Sequence, residues 1–82
     1  MKNRDEILQL IRDIMQEMFE IEANEVTLEA NLYKDLDFDS IDAVDMIVKL
    51  KETTGKALKP EDFKNARTVN DVVEAVYKLI DE

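Results

Sequence analysis

Histidine and cysteine are absent from this chain of 82 residues, and serine, glycine and proline each occur once. Zero cysteines exclude disulfides and thiolate metal sites, which suits a reducing cytosol. With no histidine either, no partner is at hand to activate a hydroxyl as a catalytic nucleophile. A single glycine excludes a glycine-rich loop that cradles phosphate. No apolar run exceeds a few residues, so the sequence predicts neither a membrane span nor a secretory signal. Basic residues are scarce as well: 11 lysines and arginines face 20 acids, for a net charge of −9. These absences point away from catalysis by the chain itself.

What is present fits a small, highly charged domain. Residues 1–82 are expected to form one domain, burying only about 60–65% of the extended surface. Apolar residues make up 45% of the chain, enough for one modest core, and 38% of residues are charged. The charge is uneven. Residues 1–48 hold four cations and thirteen acids, whereas residues 49–82 hold seven of each. Between Asp35 and Asp45 lie five aspartates and no cation. Such a field repels nucleic acid and favours basic protein partners. The same acids read either as an ordinary solvated surface or as an electrostatic docking patch.

The periodicity is helical. Asn3 with Glu6 resembles a capping box, and Ile7, Ile11, Ile14, Met18 and Ile21 recur at spacings of three and four. Flanked by Leu8, Leu10, Met15 and Phe19, they predict an amphipathic helix over residues 4–20 whose Met and Phe side chains fill a core. Residues 22–38 lose the period and read as a long loop, pinned by Val26, Leu28, Leu32, Tyr33 and Leu36. A loop this long in so small a domain is more often functional than idle. A second helix is expected to begin at Asp39, as N-cap, and to stop near Gly55. Lys59-Pro60-Glu61-Asp62-Phe63 predicts a short helical turn with proline at a first-turn position. Thr68 and Asp71 then cap a last helix with Val69, Val72, Val73, Val76, Tyr77 and Ile80 on its buried stripe. The fold class is all-α: a small four-helix bundle of three longer helices and one short one.

The second helix carries more apolar surface than one packed face uses. At about 100° per residue, Asp42, Asp45, Lys49 and Glu52 share a polar stripe roughly 80° wide. Ala43, Met46, Ile47 and Leu50 lie on one side of it, and Ile41, Val44 and Val48 on the other. The apolar arc spans about 220°, with Lys51 inside it. Either the loop of residues 22–38 covers the surplus, or it is exposed as a partner site. Asp45 and Lys49 are spaced for a helix-stabilising ion pair.

The only serine, Ser40, stands where that helix begins, in Asp37-Phe38-Asp39-Ser40-Ile41-Asp42. Other readings of this segment fail on chemistry. Asp35, Asp37 and Asp39 alternate as in an EF-hand, but its glycine and final glutamate are replaced by Ser40 and Met46. Paired-carboxylate hydrolysis needs burial that a small exposed helix does not provide. No metal site is expected.

Asp39-Ser40-Ile41-Asp42, at a helix start after a long loop, resembles the Asp-Ser-Leu-Asp signature of acyl carrier proteins, and the similarity in helix order extends over essentially the whole chain. That resemblance implies that Ser40 receives 4′-phosphopantetheine from coenzyme A through a phosphodiester, the arm's thiol then holding an acyl group as a thioester. It implies a non-catalytic cytoplasmic monomer serving fatty-acid or polyketide-type enzymes. Its partners would be a phosphopantetheinyl transferase and acyl-loading, ketosynthase or acyltransferase enzymes with basic patches, without nucleic acid or membrane insertion. Ile41, Val44 and Val48 would form the docking face, with Asp39, Asp42, Asp45, Lys51 and Glu52 around it. Ala43, Met46, Ile47, Leu50 and Phe63 would face the core or a pocket for the acyl chain. An aminoacyl or D-alanyl carrier shares this fold and arm, and a cofactor-free acidic interaction module is a further alternative. The chain departs from the pattern at Asp37 and Phe38, where the family often has glycine, and at Ile41 in place of leucine. Lys49 and Lys51 stand where related helices are often neutral or acidic, which points to a dedicated carrier for a specialised pathway.

Overall fold

In the computed structural model, which describes residues 3–59, 61, 63 and 65–81, the first helix (α1) spans Arg4–Phe19. Its start is set by Asn3, whose Oδ1 accepts from the Glu6 amide at 2.9 Å. Its end comes one residue earlier than the pattern predicts, because Glu20 turns left-handed at φ 57°. Two further helices follow, α2 over Ser40–Thr54 and α3 over Val69–Asp81. Gly55 closes α2 at φ 76°, a conformation that glycine adopts without strain. No strand is formed among the described residues; a lone bridge links Asn31 and Thr68. The architecture is all-helical.

The expected short helix near Lys59–Phe63 survives as local hydrogen bonding. The Phe63 and Asn65 amides donate to the carbonyls of Lys59 and Glu61, four residues back, at 3.3 and 3.2 Å. Pro60 and Asp62 lie outside the described residues, so proline's first-turn role is not described.

The core joins Ile7, Ile11, Ile14 and Met15 of α1 to Met46 and Leu50 of α2 and to Val69, Val72, Val73 and Val76 of α3. Tyr77 and Ile80 flank it, partly buried. α1 packs chiefly on α3. An Arg4–Glu74 ion pair, with the Arg4 guanidinium 4.3 Å from the Tyr77 ring centre, clips these two helices together on their solvent side. The hydrogen bond from Arg4 holds the Glu74 carboxyl below its ordinary pKa. The predicted Asp45–Lys49 pair does not form; on an exposed face its Coulomb gain is small against the entropy of fixing two side chains. Met18 is a second departure. In the last turn of α1 it stays exposed, while Phe19 tilts against Phe38 with ring centres 4.8 Å apart.

Residues 22–38 are tied down rather than slack. Ala23–Glu25 form a 3₁₀ turn, and the Val26 carbonyl accepts from Arg12 Nε at 2.9 Å. The Leu32 amide donates to the Arg67 carbonyl, while the Val69 and Asn70 amides donate to Ala30 and Leu28. Asn31 Oδ1 accepts from the Tyr33 and Lys34 amides and so caps a tight turn through Leu36. That turn directs Leu32 and Leu36, four residues apart, into the core and leaves Tyr33 outside. Leu28 anchors through its carbonyl and leaves its side chain exposed. Of the five predicted pins, Val26, Leu32 and Leu36 are buried; Leu28 and Tyr33 are not.

Candidate functional site at the start of α2

Ser40 is placed by the residues on either side of it. Phe38 is buried, and its amide donates to the Leu32 carbonyl at 2.9 Å, which fixes the chain just before the helix. Asp37 makes the approach possible by turning left-handed at φ 56°. Aspartate tolerates that region better than most residues, and glycine best. A glycine would meet this backbone need without strain, whereas Asp37 meets it at some cost.

Asp39 then caps α2. Its Oδ1 accepts from the Asp42 amide at 2.9 Å, and Asp42 Oδ2 accepts from the Asp39 amide at 3.2 Å. This closes a reciprocal capping box with aspartate in the position that glutamate usually takes. The Ala43 amide donates to the Asp39 carbonyl at 3.0 Å. Ser40, first residue of the helix, is exposed, and its amide and that of Ile41 are left without a partner among the described residues. A phosphate on Ser40 Oγ would thus sit at the positive end of the helix dipole, worth about 0.3–1 kcal/mol, beside two free N–H donors. The nearby carboxylates oppose that gain, so a group attached there is directed outward. The chain has no histidine or cysteine that could activate the Ser40 hydroxyl.

The five aspartates have unequal roles. Asp35 Oδ2 accepts from the Asn31 amide at 2.8 Å, and Asp39 and Asp42 serve the cap. Asp37 and Asp45 point to solvent. No three metal-ligating side chains gather among the described residues. The Asp39-x-x-Asp42 spacing is a legible signal for the box, whereas no local pattern announces the Asp35 contact.

The divided apolar arc of α2 is real. Ile41, Val44 and Val48 are 69%, 57% and 51% exposed, whereas Met46 and Leu50 are buried. The loop of residues 22–38 leaves the Ile41–Val48 ridge open. Asp45, Lys51 and Glu52 are exposed around it; Asp39 is exposed and Asp42 half-buried, nearer the helix start. Phe63 is fully buried with Met46 and Leu50, and Ala43 and Ile47 are partly buried against them. Two grooves of about 440 and 430 Å³ lie elsewhere. One runs between residues 57–59 and 65–66 on one side and α3 on the other, and the second lies beside Leu28 and Asn70. None of the five pocket candidates lines either groove.

Comparison with known proteins agrees with this geometry. Residues 9–76 match the family model described as a phosphopantetheine attachment site, a span that includes Ser40. Acyl carrier protein 2 of Ralstonia nicotianae is 56% identical over 75 residues, covering 92% of this chain and 93% of its own. The acyl carrier protein of Enterococcus faecalis superposes with a TM-score of 0.77 at 31% identity, covering 95% of this chain and 99% of that one. That of Thermotoga maritima gives 0.83 at 24% identity, over 95% and 91%, a likeness of fold.

Proposed function

The chain belongs to the acyl carrier protein family, and from that membership we propose that Ser40 is the residue through which it bears its 4′-phosphopantetheine arm. The protein is a non-catalytic carrier of acyl groups. The arm, supplied by coenzyme A, provides the thiol that holds the acyl group as a thioester. The observation that carries the assignment to Ser40 is its solvent-exposed place at the first position of α2, the only serine in the matched span. The two free amides of the first turn fit a phosphodiester on Ser40 Oγ, and the Asp39–Asp42 box holds the residue on a rigid element.

Family membership implies a phosphopantetheinyl transferase and biosynthetic enzymes as partners. Docking through Ile41, Val44 and Val48, with Asp45, Glu52, Lys51 and the outer faces of Asp39 and Asp42 at the rim, fits ketosynthases, acyltransferases or loading enzymes with basic patches. Ala43, Met46, Ile47, Leu50 and Phe63 are packed together in the core and line neither groove, so an acyl chain lodged against them would have to part α2 from that core. The proposal is completed by service to fatty-acid or polyketide-type enzymes in the cytoplasm, as a monomeric single-domain four-helix bundle. The relatives named above are acyl carriers, which favours acyl over aminoacyl cargo. Incubation with a phosphopantetheinyl transferase and coenzyme A tests the assignment by intact mass. The wild-type chain should gain one phosphopantetheine and Ser40→Ala none; an arm on the alanine variant would overturn it.

A further inference from the structure

We infer that the biosynthetic enzyme served by this carrier presents a carboxylate opposite Lys51 in addition to cations opposite Asp45 and Glu52. The inference rests on the docking role of α2 proposed above and concerns which partner that face selects. At about 100° per residue, Val44, Val48 and Ile41 form an outward ridge roughly 60° wide. Asp45 and Glu52 flank it beyond Ile41, and Lys51 flanks it on the opposite side, next to Val44. Lys51 stands about 15 Å along the axis from Ile41, at the end of the ridge away from Ser40. Its side chain is exposed and forms no ion pair with a described residue. The ridge is therefore acidic along one flank and basic at the far end of the other.

A uniformly basic partner surface would set a cation against Lys51, and like charges facing each other reject a partner while leaving the apolar contacts intact. A surface with an acid at that one point would gain from the same residue. Anionic membranes are a poor occupant for a face on a chain of net charge −9. The simpler account, that Lys51 only offsets the helix dipole in the last turn of α2, predicts an effect on stability and none on recognition.

The acyl-loaded carrier, as wild type, Lys51→Arg, Lys51→Gln and Lys51→Glu, is assayed with each ketosynthase of its own host. At least one enzyme should lose about tenfold in kcat/KM with Lys51→Glu, through KM, equivalent to ~1.4 kcal/mol. Lys51→Arg should retain activity, and replacing the facing carboxylate of that enzyme by lysine should rescue Lys51→Glu. Equal treatment of all variants by every ketosynthase, a change in melting temperature alone, or a self-associated dimer that Lys51→Glu dissolves would each overturn the inference. Intact mass of the same samples separates the two readings. A wild-type chain that takes no arm sinks the proposed function, whereas a loaded chain with flat kinetics sinks only the choice of partner.

Discussion

An exposed alcohol at the first position of a helix has little to lose structurally and much to offer as an attachment point. Ser40 makes no buried contact, so Ser40→Ala should abolish loading while changing stability by no more than about 0.5 kcal/mol in a denaturant titration. A large destabilisation would show that the hydroxyl is structural. Ser40 stands out in the sequence as a candidate attachment point because a lone serine among carboxylates has no histidine or cysteine in the chain to activate it. Asp37 was not legible in the same way. Its left-handed backbone follows from the buried anchor at Phe38 and from the turn through Leu36, which no local pattern announces. Asp37→Val should therefore cost about 1–2 kcal/mol, and Asp37→Gly should be neutral or stabilising. Equal melting temperatures for the two variants would contradict that account.

At the scale of elements, each helix start is held by a short polar side chain, and the caps were readable because Asn3, Asp39 and Thr68 precede strong apolar periodicity. Removing the α2 cap with Asp39→Ala should cost about 1 kcal/mol and slow loading of Ser40, since the serine's position depends on the box. Asp71 gives α3 a pH dependence. The Arg67 and Thr68 amides donate to its carboxylate and hold its pKa below the ordinary 3.8. A lowered folded-state pKa contributes stability above pH 3.8 that is lost as the pH falls through the folded value. The stability difference between wild type and Asp71→Asn should therefore shrink on acidification from neutral pH to below 3.8. A difference that holds constant across that range would remove the assignment. The connection before α2 was harder to read. Its longest-range hydrogen bonds run to Arg67, Val69 and Asn70, more than thirty positions away in the chain, so sequence periodicity could show only that it lacked a helix.

For the whole molecule, charge decides more than shape. A net charge of −9 on 82 residues, concentrated in the first 48, sets carboxylates around the α2 entrance against one another. Screening should relieve that repulsion, so sodium chloride or magnesium chloride should raise the melting temperature. Because the aspartates do not converge on a metal site, the magnesium effect should follow ionic strength and valence without a saturable binding step. An unchanged melting temperature in both salts would show that the native fold already offsets the repulsion. The same field should steer basic partners, so that docking rates fall as salt rises while the apolar ridge remains in place.

The most direct measurement of all uses the chain as its host makes it. Trypsin, cutting after Lys34 and Lys49, releases the peptide Asp35–Lys49, in which Ser40 is the single hydroxyl-bearing side chain. Tandem mass spectrometry of that peptide should find phosphopantetheine on Ser40, carrying an acyl group as a thioester. A bare peptide from actively growing cells, or an arm located on any other peptide of the chain, would contradict the central claim.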